Sequence, residues 1–392
     1  MHCQSIPRPP DVTSKALSVA HLLIGEKIWG VENYVLNLSQ AMPDSVRTLI
    51  VCPFESAVSK KFRDAGFPVF IVPMNGYCDV AAINALATLF REHGVNVVHT
   101  HLGIDSFIGT IAASLSGAAV VQSVHFDNPA YMSNGKRLIM QLWRGIQFLK
   151  NQKVAHFLPI TENVGAELAK REFVSRKKIT VVHPGVVAPL EVSPDERKSI
   201  RAQMGVRDNE VVISAVGRLE PEKNFSCLIE AAGAIVEKQL PIKVWIAGDG
   251  SQMSKLRTQV EQNNMTGIIS LLGYRSDAGK LLSASDIFVL PSLAEPFGMA
   301  AAEAMAAGVP VIGTEGPGLS TIIDHGETGL LVKPSAVGEL AAAIETLTFN
   351  SALRTKFGIA GKAKALSCFS PEVMSTQILR IYESVGCSSA ES

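Results

Sequence analysis

The sequence predicts an α/β protein of two doubly wound domains that face each other across a cleft. Three observations predict it. Short apolar runs alternate with longer helical segments along the whole chain, the rhythm of parallel sheets with helices on both faces. A proline-rich segment, His183–Arg197, interrupts that rhythm once near the middle. The length of 392 residues is too great for a single core of ordinary size.

Residues 1–15 are rich in proline and polar side chains and are expected to be disordered. In the first domain, 16–186, the expected strands are Ala16–Ile24, Arg47–Cys52, Pro68–Val72, Val95–Thr100, Ala118–Val124 and Val154–Ile160, with helices such as Asp79–His93 and Asp105–Ser116 between them. The segment His183–Arg197 reads as a linker. The second domain, 187–370, repeats the alternation with strands Val211–Val216, Ile242–Ala247, Ile268–Leu271, Asp286–Leu290, Val309–Ile312 and Gly329–Val332. Three helices close the chain; residues 371–392 form the last of them, packing back on the first domain, and then a tail.

Composition excludes several classes. The 36 Lys and Arg balance the 36 Asp and Glu, so no strong field directs the chain to nucleic acid. The balance hides a modest asymmetry: residues 1–186 carry 18 basic and 13 acidic side chains. That tilt suits an anionic acceptor or a membrane surface on the first domain. The six cysteines are scattered without paired spacing, which implies neither a zinc site nor a disulfide framework and fits a reducing cytoplasm. No apolar run approaches the roughly 18 residues of a membrane span, and no secretory leader is evident. Gly135–Lys153 mixes Lys136, Arg137, Arg144, Lys150 and Lys153 with Leu138, Leu142, Trp143 and Phe148. It reads either as a basic amphipathic helix lying on the inner membrane face or as an ordinary domain helix.

The chemistry concentrates at strand ends, where open α/β sheets bind ligands. Glu295 and Glu303 lie eight positions apart in EPFGMAAAE, the first in a loop leaving a buried strand and the second inside the helix that follows. Amides at that helix start favour an anion, Gly298 permits close approach, and a carboxylate beyond them accepts hydrogen bonds from hydroxyls. Arg218 and Lys223 occupy the loop GRLEPEKN, which starts at Gly217; two cations before a helix suit a diphosphate, although a solvated basic loop has the same composition. Gly248 and Gly250 follow another strand, and Trp29 and Gly30 follow the first; each glycine serves either a tight turn or backbone approach to a ligand. His125 ends the fifth strand and is expected in the cleft. His99 and His101 flank Thr100 and share a face, but an HxH without a third ligand is weak evidence for metal.

GRLEPEKN, AGDGS and EPFGMAAAEAMAAGVPVIGT resemble the donor site of glycosyltransferase family 4, retaining enzymes of the GT-B fold with two Rossmann-like domains; the likeness is strongest over residues 210–335. The resemblance implies that Arg218 and Lys223 neutralise the diphosphate of a nucleotide-sugar donor, that Glu303 holds its ribose hydroxyls and that Glu295 contacts its sugar. It implies that Phe297, Gly298 and Met299 supply backbone around sugar and phosphate, with Gly30, Gly217, Gly248 and Gly250 on the donor side. His125 matches the family's cleft histidine, and Trp29 and His101 are the acceptor-side candidates. No metal or other cofactor is expected, and no DxD motif occurs. The implied function is transfer of a sugar to a glycan or lipid-linked acceptor in bacterial polysaccharide or cell-surface glycan synthesis. A sugar-nucleotide binder without transfer activity and a nucleotide-sugar epimerase of the same fold are the alternatives. Three departures stand out: Trp29 where the family has a paired glycine, Thr321 where it often has Glu, and HPGV at His183–Val186 in place of an Asn-Gly turn.

Overall fold

The computed structural model describes residues 17–101, 103–125 and 137–388, with the side chains of 137–144 and 387–388 left out. The expected disordered segment and the tail lie outside the described residues. All twelve expected strands form. In the first half they are β1 (Leu17–Leu22), β2 (Val46–Cys52), β3 (Val69–Ile71), β4 (Val97–Thr100), β5 (Ala119–Val124) and β6 (His156–Pro159). In the second they are β7 (Val211–Val216), β8 (Ile242–Ala247), β9 (Ile269–Leu271), β10 (Ile287–Leu290), β11 (Val311–Thr314) and β12 (Gly329–Val332). Each half is one parallel six-stranded sheet, ordered β3-β2-β1-β4-β5-β6 and β12-β11-β10-β7-β8-β9. Strand order reverses beside β1 and beside β7, and such a switch opens a crevice at the strand carboxyl ends.

The apolar runs form strands because helices cover both sheet faces. Val97, Val98, Val289 and Ile312 are fully buried, and each such side chain contributes about 1.5–3 kcal/mol over exposure. One layer of the first core is completed from the far end of the chain. Met374, Ile378 and Tyr382, on the helix Pro371–Ser388, pack with Val19, Tyr34 and Leu38. The two crossings between halves lie side by side: the Val186 amide donates to the Phe369 carbonyl at 2.7 Å, and Asn37 Nδ2 donates to the Gly185 carbonyl at 2.9 Å. A Cβ at Gly185 would stand 2.6 Å from Pro371 Cα, so that contact requires glycine.

The linker is shorter than the proline content predicts. Helix Pro194–Gln203 begins inside it, with Ser193 accepting from the Glu196 amide at 3.1 Å and Pro194 at the first helical position. There the absent N–H costs nothing, so this proline starts a helix. The helix anchors the strand that leads to the site. Asp286, just before β10, takes Arg197 at 2.7 Å, Arg201 at 2.8 Å and the Val212 amide at 2.7 Å. Burial pushes the Asp286 carboxyl up, but the Val212 amide and the two guanidinium groups outweigh it and hold the group below the usual carboxylate range.

Candidate active site

The loop after β10 builds the centre of the site. Gly298 ends it at φ 102°, where a Cβ would meet Leu319 Cδ2 at 2.6 Å, so only glycine fits before the helix Met299–Ala306. Phe297 anchors the loop from beneath, its ring 5.9 Å from His183 and 5.4 Å from Phe369. Its side chain is therefore core. His183, in the HPGV departure, also bonds the Ile160 carbonyl at 2.9 Å and so joins this same packing.

Above that anchor the charges meet. Glu295 accepts from Ser292 Oγ at 2.9 Å and pairs with Lys223 Nζ. Lys223 ends the short turn Pro221–Lys223, which closes on Asn224 at φ 51°. The Leu293 amide donates to the Glu222 carbonyl at 2.8 Å and ties the two loops together. Arg218 pairs with Glu222 at 2.9 Å and remains half exposed. Arg218, Lys223 and Glu295 line one pocket of about 350 Å³ with Gly316, and Asn163 and Val164 close it from the first domain. Residues 72 positions apart in the chain thus converge on a space between the domains.

Glu303 stands at the fifth position of the helix and is not part of that pocket's lining. No hydrogen bond or ion pair reaches its carboxyl among the described residues. Burial pushes it up to about 7. A half-buried, desolvated acid without a protein partner is the sort of group a ligand satisfies.

The glycines divide by role. A Cβ at Gly248 (φ 151°) would lie 1.8 Å from the Gly217 carbonyl oxygen, and one at Gly250 (φ 158°) 2.6 Å from that of Leu219. These glycines let the ends of β7 and β8 close together, a demand of the fold itself. Gly30 is different: a Cβ there meets nothing within 4 Å. Beside it Trp29 is 37 % exposed, and its amide donates to Glu32 Oε2 at 3.0 Å. Gly25 makes room for this cap, since a Cβ there would strike Glu32 Oε1. Thr321 donates to the Pro317 carbonyl at 2.7 Å and so spends its hydroxyl on its own turn.

One sequence expectation fails. His101 does not face an acceptor, because it is buried between His21 and His125 at 3.1 and 3.3 Å. Strand alternation placed it with His99 on one face but could not show that other elements cover that face. Lys150, one of the five cations of the basic helix, does not reach an outer face. It is buried, donating to Ser106 Oγ at 3.1 Å and Gln122 Oε1 at 2.9 Å, and desolvation lowers its amine to about 8. The same helix exposes Phe148 and Leu149. Three contributors were missed: Ser292, Glu222 and His21. His21 carried a signal, being the polar residue in the otherwise apolar end of LSVAHL.

Residues 28–188 match the family model described as Glycosyltransferase Family 4, and residues 196–364 match Glycosyl transferases group 1. Bacillus subtilis EpsD, which carries a glycosyltransferase name, is 33 % identical over 296 residues, 74 % of this chain and 76 % of its own length. The chain belongs to glycosyltransferase family 4. Another family relative is the Escherichia coli UDP-Gal:alpha-D-GlcNAc-diphosphoundecaprenol alpha-1,3-galactosyltransferase, 28 % identical over 355 residues, 87 % of this chain and 90 % of that protein. The crystal structure of Anabaena HepE in complex with UDP and glucose superposes with a TM-score of 0.82 at 21 % identity, covering 94 % of this chain and all of that one. That likeness establishes the GT-B fold. Among the described residues no helix is long and apolar enough to cross a membrane.

Proposed function

We propose that this glycosyltransferase takes its sugar from a nucleoside diphosphate and passes it, with retention of anomeric configuration, to a glycan or lipid-linked glycan. The observation that carries the reading is the convergence of Arg218, Lys223 and Glu295 on one interdomain pocket. Two cations there stabilise the charge that grows on the diphosphate as the sugar leaves, and a carboxylate beside them accepts from sugar hydroxyls. The relatives support the donor class: the Escherichia coli enzyme is named for UDP-Gal and a diphosphoundecaprenol-linked acceptor, and HepE was crystallised with UDP and glucose. No carboxylate is assigned as a nucleophile, so the leaving phosphate itself assists the acceptor hydroxyl. His125 contributes a hydrogen bond at the sugar. Incubation with nucleotide sugars, with and without glycan acceptors, decides the class. A transferase releases nucleoside diphosphate in step with product, an epimerase yields a new nucleotide sugar without release, and a binder yields neither.

Glu303 supplies a pH signature. Its folded pKa is raised, so the free protein holds a proton there until pH passes about 7. Ribose hydroxyls donating to the ionised carboxylate favour the charged form and expel that proton. Affinity for a nucleoside diphosphate is therefore expected to rise between pH of about 6 and about 8 and then level. Glu303→Gln is expected to weaken binding about tenfold at the upper end and to flatten this rise. Calorimetric titration of both proteins across that range checks it; parallel curves would remove Glu303 from the nucleotide site.

A further inference from the structure

The HxH at the end of β4 gains a third histidine from β1. The register sets Val19 opposite Val97 and His21 opposite His99, so a face that begins as apolar core turns to imidazole toward the strand carboxyl ends. His101 follows His99 by two residues on that face. All three rings are buried, and one nitrogen of each lies within 4.8 Å of a nitrogen of both others. His21 Nδ1 lies 3.1 Å from His101 Nε2. Zinc holds imidazole nitrogens at about 2.0–2.1 Å, which spaces two of them about 3.3 Å apart on a tetrahedron. That edge of the cluster already has close to the span a zinc ion requires.

A neutral imidazole offers a metal one lone pair and keeps one N–H. Burial pushes His21 down to about 3, and His99 and His101 well below their ordinary value, so all three are neutral near pH 7. The proton that bridges His21 and His101 moves to the far nitrogen of its own ring when an ion takes both lone pairs. A ligating histidine is oriented by the partner at its other nitrogen. His101 Nδ1 has His125 Nε2 at 3.3 Å. His99 has a hydroxyl at each nitrogen, Tyr382 Oη at Nδ1 and Ser123 Oγ at Nε2. An ion displaces one hydroxyl, and the other accepts the remaining N–H. Ser123 yields at the lower cost, because Tyr34 Oη remains beside it at 2.9 Å. The buried Asp105 carboxylate accepts from the His101 amide at 2.9 Å and brings negative charge beside a cation.

We propose that His21, His99 and His101 form a zinc site that ties β1 to β4 at the strand carboxyl ends of the first domain. Three histidines leave the fourth position of the tetrahedron to a small ligand such as water. The ion supplies stability and takes no part in sugar transfer. It joins β1 and β4 through side chains as well as through their ladder, and His99 extends the joint to the helix Pro371–Ser388 through Tyr382. The competing state is a metal-free set of hydrogen-bonded imidazoles, since 3.1 Å between His21 and His101 serves a hydrogen bond equally.

Elemental analysis of untagged protein, purified without chelators and dialysed, tests this. Stoichiometric zinc is expected. Its removal by a chelator is expected to lower the thermal midpoint by roughly 5 °C, and added zinc to restore it. Cobalt(II) in its place is expected to give the visible absorption of a four-coordinate site. His21→Leu is expected to lose the metal, whereas His93→Gln, at a histidine outside the cluster, is expected to keep it. Zinc-free wild-type protein whose midpoint does not move when zinc is added overturns the proposal, and needs no variant to fold. So does zinc retained in full by a folded His21→Leu, which would place the metal elsewhere.

Discussion

Lys223→Ala is expected to lower kcat by about 10²–10³-fold, the usual loss on removing one preplaced charge-stabilising group from a transition state. The side chain lies between its loop and Glu295, which is only 6 % exposed at its side chain. Removing the cation therefore does two separable things. It withdraws charge from the leaving diphosphate, and it strands a nearly buried carboxylate, which destabilises the fold by about 3–5 kcal/mol. The double variant Lys223→Ala/Glu295→Gln separates them, since the neutral amide no longer needs a counter-ion. Stability is expected to recover in the double variant and turnover is not. Recovery of turnover together with stability would mean that Lys223 serves only the fold.

Gly248→Ala is the second large effect. The added Cβ would sit 1.8 Å from the Gly217 carbonyl oxygen at a φ of 151°, so both backbone and neighbour resist it. The ends of β7 and β8 must then part, because Gly217 N donates to the Ala247 carbonyl at 3.1 Å right there. A loss of about 3 kcal/mol or more is expected, seen as a shifted denaturant midpoint or as failure to fold. Gly30→Ala is the control: with open space and an ordinary φ it is expected to change stability by no more than about 0.5 kcal/mol. Equal losses at the two positions would contradict the division of the glycines.

That contrast shows where the sequence stops. Both glycines follow strands in apolar context and read alike; only the spacing of β7 and β8 tells them apart. The strands were legible because parallel sheets buried on both faces write themselves as unbroken apolar runs such as VVISAV and IFVL. The loops of the site were legible because their chemistry is local: Glu295 follows β10 by a few residues, and Arg218 follows β7. What stayed hidden depends on partners far along the chain. His99 meets Tyr382 across 283 positions, and that crossing helix helps to cover the face that His101 shares. Lys150 meets Gln122 on β5 and Ser106 on a separate helix, a burial that no helical pattern announces. His21 had its signal, a polar residue inside an apolar strand. Its meaning came only from the register that sets it opposite His99.

What occupies the space beside Glu295 decides the function. A crystal structure with an intact nucleotide sugar tests it most directly. The expected result places the diphosphate within hydrogen-bond distance of both the Arg218 guanidinium and Lys223 Nζ, the sugar against Glu295 and the ribose hydroxyls on Glu303. A donor bound elsewhere, with Lys223 still paired to Glu295 and the interdomain pocket unfilled, would contradict it.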